Sequence, residues 1–164
     1  MLERSLYVTT FIAAVGSGVV AGIFFAFSNF VMPALGRVAP ASGIAAMQAI
    51  NVTVINPGFM LAFMGTAVLC LGLALGSWLW LGEWSGKLLL LGSLIYLIAC
   101  IGVTMALNVP LNDAIAVVKP ETIEAGELWQ RYLVDWTFWN SVRTAASALA
   151  MVLFMLALIA RSTA

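Results

Sequence analysis

Four long apolar runs, separated by short polar stretches, limit what this chain can fold into. A helix needs about 20 mainly apolar residues to cross the hydrocarbon of a bilayer. Stretches at about Ser5 to Phe30, Pro57 to Leu81, Gly86 to Leu107 and Trp136 to Ala160 all reach that length. In lipid the backbone must satisfy its own hydrogen bonds, so such runs fold as helices. Of 164 residues, 63% are hydrophobic and 9% charged, against about 25% charged in a soluble domain. The expected fold is all-α: one four-helix transmembrane domain over residues 1–164, with the lipid bilayer as its first partner.

Local signals place the ends of these helices. The first run is too long for the apolar part of a cleavable signal, about 7–15 residues, so it is expected to remain as the first span. Asn56 and Pro57 read as a cap and a first helical position. Pro110 disfavours helix at the residue before it, so the third span is expected to end at Asn108-Val109-Pro110. Gly18 with Gly22, and Gly72 with Gly76, form small-residue pairs that permit close helix packing. The second-to-third connection, Gly82 to Gly86, is short, and Trp78, Trp80 and Trp84 read as an interfacial belt beside it. The other two connections are longer and share the opposite membrane face. One, Pro33 to Asn56, holds an expected short interfacial helix at Ser42 to Ile50. The other, Val109 to Asp135, carries Asp113, Glu121, Glu124, Glu127 and Asp135. Two long connections on one face are where such a bundle is expected to build its site. Arg4, Lys87, Arg161 and the α-amino group lie on the terminal face, so the termini are expected in the cytoplasm, with the chain in a bacterial inner (plasma) membrane.

Composition excludes several chemistries. Seven basic and seven acidic side chains cancel, and no basic patch is present to hold nucleic acid. The chain has no His, which removes the commonest metal ligand. Cys70 and Cys100 sit in apolar runs rather than as CxxC, and read as small core residues rather than a redox pair. Neither a metal nor a cofactor is expected.

Polar residues stand out against this background. From Glu121 the sequence reads as helix running into the fourth span. At about 100° per residue, Trp129, Tyr132, Trp136, Asn140 and Arg143 share one stripe, with Trp139 at its edge. Arg143 lies about 10 Å beyond Trp136 along a helix, where an ionisable group in lipid marks a candidate site. Snorkelling back to the interface is the other account of Arg143. Thr104, Asn108 and Asn112 are spaced four apart on the third helix. Ser28, Asn29, Asn51 and Asn56 lie on the same membrane face, and Phe24, Phe25, Phe27 and Phe30 crowd the end of the first helix. These residues either tie helix ends together or line a pocket. A pocket with aromatic walls and a few amides suits a flat polycyclic or quinone-like ligand bearing a carbonyl or phenol.

Three segments carry a family resemblance. They are Asn108-Val109-Pro110-Leu111-Asn112, the string Trp129-x-x-Tyr132-x-x-x-Trp136-x-x-Trp139-Asn140-x-Val142-Arg143, and Phe27-Ser28-x-Phe30-Val31-Met32-Pro33-Ala34-Leu35. Together they resemble the DUF1772, or anthrone oxygenase, family over nearly the whole chain. The resemblance implies a small four-helix membrane protein, and for some members the oxidation of an anthrone to an anthraquinone by O2 without a cofactor. It further implies Asn140 and Arg143 as donors to a developing oxyanion, Asn108 and Asn112 as orienting groups, and Trp136 and Trp139 as stacking surfaces. Tyr132, Phe27 and Asn51 complete the expected ligand-binding set. Many members have a His after the Trp-Asn pair, where this chain has Ser141. A base would then be Asp135, a loop glutamate or water, and Asp135 lies about 120° off the stripe.

Two functions follow. One is a cofactor-free oxygenase acting on an anthrone-like aromatic compound. The other is a non-catalytic membrane protein that binds a small hydrophobic ligand or a partner protein. Proton-coupled export is disfavoured, because it would want a carboxylate inside a span.

Overall fold

In the computed structural model, residues 2–162 are described, and they form an all-helical bundle. Helix α1 is Leu2–Ala26 and continues through a π-helical segment, Phe27–Val31, into a last turn, Met32–Leu35. Helix α2 is Pro40–Thr53. Helix α3 is Pro57–Ser77, ending in a 3-10 turn at Trp78–Trp80. Helix α4 is Trp84–Ile95, extended by π-helical Tyr96–Gly102 and Thr104–Asn108 and then by Val109–Ala116. Helix α5 is Ile123–Ser162. Four of these, α1, α3, α4 and α5, are long and apolar enough to cross a membrane, and the protein is an integral membrane protein.

The helix ends follow the sequence in part. Asn56 caps α3, its side chain accepting from the Phe59 N–H at 3.1 Å, and Pro57 takes the first position. Pro110, expected to end the third span, does not: α4 runs on to Ala116. The reason is the π-helical segment before it. There the Val109 N–H reaches back five residues to the Thr104 carbonyl. The widened turn lets the proline, which has no N–H to give, start a fresh α-helical segment without breaking the rod. Pro33 uses the same device, since the Met32 N–H donates to the Phe27 carbonyl. The interfacial helix is also longer than Ser42 to Ile50, starting at Pro40 and ending at Thr53. The two long connections are therefore mostly helix.

Packing divides the molecule into two cores. The larger joins α1, α3, α4 and α5 through Val20, Phe24, Phe63, Cys70, Tyr96, Cys100 and Phe154, with both cysteines free and buried. The smaller lies under α2 and holds Met32, Ile44, Met47, Ile115, Trp129, Tyr132 and Trp136. Gln48 of α2 donates to the carbonyls of Ile115 and Val118 at 2.8 and 3.0 Å, fixing α2 to the end of α4. Close helix contact does not fall where the small-residue pairs placed it. A Cβ at Gly16 would sit 2.0 Å from the Thr66 hydroxyl, and one at Gly92 3.0 Å from Phe154, whereas Gly22, Gly72 and Gly76 face open space. Only Gly18 of those pairs meets a neighbour, the flexible Met151 side chain. At the opposite end, Glu3 and Arg161 form an ion pair that joins the first and last spans. Arg161 also lies 5.1 Å from the Trp80 ring centroid, while Trp78 and Trp84 point outwards.

Candidate functional site

A cavity of about 330 Å³ lies where the two cores meet. Every helix contributes to its wall. Phe24 and Phe27 come from α1, Met47 and Asn51 from α2, Phe59 and Phe63 from α3, Thr104 and Asn112 from α4, and Trp136 and Arg143 from α5. The rings are arranged rather than scattered. Phe59 stacks on Phe63 with centroids 5.5 Å apart, Phe24 meets Phe63 edge-on at 6.0 Å, and Phe27 stands 5.9 Å from Trp136. Two of the π-helical segments, Phe27–Val31 and Thr104–Asn108, border this space and place Phe27 and Thr104 in its wall. Such widened turns recur at functional sites, because they redirect side chains that a regular helix would aim elsewhere.

Arg143 is the centre of the polar wall. Its side chain faces inwards and is 5% exposed, so it does not snorkel to the interface. The guanidinium lies 4.1 Å from the Phe24 ring centroid and 5.4 Å from that of Trp136, an arrangement with a cation over aromatic faces. Nη1 donates to Thr104 Oγ1 at 3.2 Å and Nη2 to Asn140 Oδ1 at 2.6 Å, while Nε is buried without a partner. Among the described residues no carboxylate pairs with it. A buried charge normally has an anionic partner, since desolvation is otherwise uncompensated.

The Arg143 donors belong to a longer chain of hydrogen bonds. The Asn140 amide donates to the Phe24 carbonyl at 2.6 Å and to Ser28 Oγ at 2.7 Å. Ser141 also donates to Ser28, at 2.9 Å, and stands outside the cavity. Thr104 donates to the Cys100 carbonyl at 2.8 Å. The guanidinium is thereby positioned from α1, α4 and α5 at once.

A second polar group centres on Asn112. Its Oδ1 accepts from Tyr132 Oη and Trp136 Nε1, both at 2.8 Å. Trp129, Tyr132 and Trp136 stack in sequence, with centroids 5.6 and 5.9 Å apart. The Nδ2 of Asn51 is buried near the Tyr132 hydroxyl without a hydrogen bond of normal geometry.

The residues singled out from sequence thus occupy different places. Arg143, Asn112, Trp136, Phe27 and Asn51 line the cavity. Asn140 and Tyr132 sit behind that wall and hold the residues in it. Asn108 is buried and donates to the Trp136 carbonyl at 3.2 Å, joining α4 to α5 away from the cavity. Trp139 packs against Phe138 on another face of α5. Asp135 is exposed and takes no part in the lining. Sequence reasoning missed Phe59, Phe63 and Met47, which carry no polar mark within their apolar runs, and Gln48, whose amide holds α2 in place.

A family model described as Anthrone oxygenase matches residues 59–153, more than half of the chain. The match takes in α3, α4 and most of α5, including Asn112, Trp136 and Arg143. No curated protein and no solved structure matches the chain. On the family match, joined to four membrane-length helices, this chain belongs to the anthrone oxygenase family.

Proposed function

We propose that the protein binds a planar, enolisable aromatic ketone in the cavity and oxidises it with O2. The observation that carries this reading is Arg143: a buried cation without a carboxylate partner among the described residues, facing an aromatic chamber. An enolate or phenolate oxygen is the anion that such a site lacks. A flat ring system fits between Phe24, Phe59, Phe63 and Trp136, and its oxygen accepts from the guanidinium.

The chemistry then follows from charge. A methylene between two aromatic rings and conjugated to a carbonyl loses a proton to hydroxide or water. Arg143 favours that loss by stabilising the enolate oxygen in a water-poor site. The carbanionic carbon gives its electrons to O2 and forms a C–O bond, yielding a hydroperoxide. Loss of the second C–H proton and cleavage of the O–O bond release water and leave a carbonyl. In balance, each methylene and each O2 give one ketone carbonyl and one water, with carbon oxidised and oxygen reduced. Asn140 and Thr104 hold the guanidinium, Asn112 fixes Trp136, and the amides of Asn112 and Asn51 orient the ligand's other oxygens.

A second reading, binding without turnover, has one specific observation in its favour. Among the described residues, Arg143 is the only titratable side chain of the lining, and the wall they form offers no side-chain base. O2 consumption by the purified protein with a hydroxylated anthrone, corrected for spontaneous oxidation, separates the two. A rate above background that is lost in Arg143→Gln supports the oxygenase. No rate, with the corresponding anthraquinone still bound, supports the binder.

A further inference from the structure

Three residues of the cavity wall, Ile55, Met64 and Met105, are exposed on the outside of the protein. Two of them belong to helix faces that point away from the bundle. Met64 lies in the outward stripe of α3 with Leu61, Val68, Leu71 and Leu75, at spacings of three and four. Met105 lies in the outward stripe of α4 with Leu91, Leu94 and Ile98. Stripes of this kind on membrane-length helices face acyl chains. The same two side chains therefore touch the cavity and the lipid.

The helices also part at this level. Helix α3 packs chiefly on α1, on Trp84–Ile95 and on Tyr96–Gly102, and far less on Thr104–Asn108. Met64 stands about 24 Å along α3 from Trp80, and Met105 about 31 Å along α4 from Trp84. Both are thus near the far boundary of a hydrocarbon layer about 30 Å thick. That boundary is where flat aromatic molecules with one polar edge collect, as Trp and Tyr side chains do. Methionine suits a gate, because its unbranched chain changes shape at little cost.

We propose that the cavity opens sideways into the bilayer between α3 and α4, through a gap closed by Met64 and Met105. Its ligand is then a planar aromatic phenol or enolisable ketone delivered from the membrane rather than from water. This rests on the reading that the cavity holds such a ligand. In passing from lipid, the neutral form crosses the methionines and ionises only against Arg143.

The test is kinetic and uses the full chain in phosphatidylcholine vesicles, with 1,8-dihydroxyanthraquinone as probe. Its association and dissociation are followed by energy transfer from the protein's tryptophans. Met64→Phe/Met105→Phe should slow association and dissociation together, each by several-fold, and by more than any accompanying change in the dissociation constant. Met64→Ala/Met105→Ala should speed both. Arg143→Gln should weaken binding by about tenfold or more, the value of a hydrogen bond to a charged group, through faster dissociation. Both methionine positions face lipid, so thermal unfolding of these variants should match that of the parent. If neither methionine variant alters the rates while Arg143→Gln still weakens binding, the lateral route is overturned and the site stands. If the parent protein does not bind the probe, the reading of the site falls, and the route with it.

Discussion

Nη2 of Arg143 donates to Oδ1 of Asn140 at 2.6 Å, one turn back along α5. Asn140 is fully buried, and its amide is already committed to the Phe24 carbonyl and to Ser28. On the proposed reading it acts through Arg143 rather than on a ligand, as a positioning residue. Asn140→Leu should remove the side-chain donor to the Phe24 carbonyl and leave one arm of the guanidinium without its acceptor, while Ser28 keeps its hydrogen bond from Ser141. Each buried group left unpaired costs about 1–3 kcal/mol. A fall in the thermal unfolding temperature in detergent, together with weaker probe binding, is the expected result. Full stability with unchanged binding would remove Asn140 from this role.

Thr104→Asp asks whether the unpaired charge is what recruits a ligand. The new carboxylate would stand where Thr104 Oγ1 now accepts from Nη1 at 3.2 Å. It would compensate the cation internally and compete with any phenolate. Affinity for 1,8-dihydroxyanthraquinone should drop by about tenfold or more, while the unfolding temperature stays near that of the parent. Retained affinity would mean that the aromatic walls alone hold the ligand.

Asn112 carries two donors on one oxygen, Tyr132 Oη and Trp136 Nε1. Asn112→Leu leaves both without a partner and should destabilise the protein by about 2–4 kcal/mol. Asn112→Asp keeps the acceptor and should lose less. The order of unfolding temperatures, parent then Asp then Leu, checks this.

The glycines offer a contrast within one class of substitution. A methyl at Gly16 meets the Thr66 side chain at the α1–α3 contact, so Gly16→Ala should force the helices apart and lower the unfolding temperature. Gly72 has nothing within 4 Å of its Cβ position. Gly72→Ala should be neutral or stabilising by up to about 1 kcal/mol, the difference in helix propensity. Equal effects at the two sites would contradict the packing described.

How far the sequence could be read depended on whether a helix stays regular. Along α5, which is unbroken from Ile123 to Ser162, helical phase groups Trp129, Tyr132, Trp136, Asn140 and Arg143, and all five are buried. On α4 the same arithmetic groups Thr104, Asn108 and Asn112. There Thr104 and Asn112 line the cavity but Asn108 turns to the Trp136 carbonyl, because the π-helical turn resets the phase between them. The four spans were legible from hydropathy, since membrane thickness sets their length. The loop-side extension of α5 was legible too, as helix from Glu121 onwards; that of α4 past Pro110 was not, because a π-helical turn carries the rod across a proline expected to stop it. Phe59, Phe63 and Met47 were hidden for another reason: an apolar residue in an apolar run does not announce whether it faces lipid, core or cavity.

The π-helical turns have a further consequence for how such a protein can change. A π turn is equivalent to an α-helix carrying one inserted residue. Deleting a single residue from Thr104–Asn108 would restore an ordinary helix and swing everything beyond it by about 100°. Asn112 would leave the wall, Trp136 and Tyr132 would lose their shared acceptor, and Pro110 would meet a carbonyl it now avoids. The Phe27–Val31 turn exposes α1 to the same one-residue hazard. In this fold the length of a helix, counted residue by residue, is as much a determinant of the chamber as the side chains that line it. Gaps of one position, rather than substitutions, are where related chambers would diverge in shape.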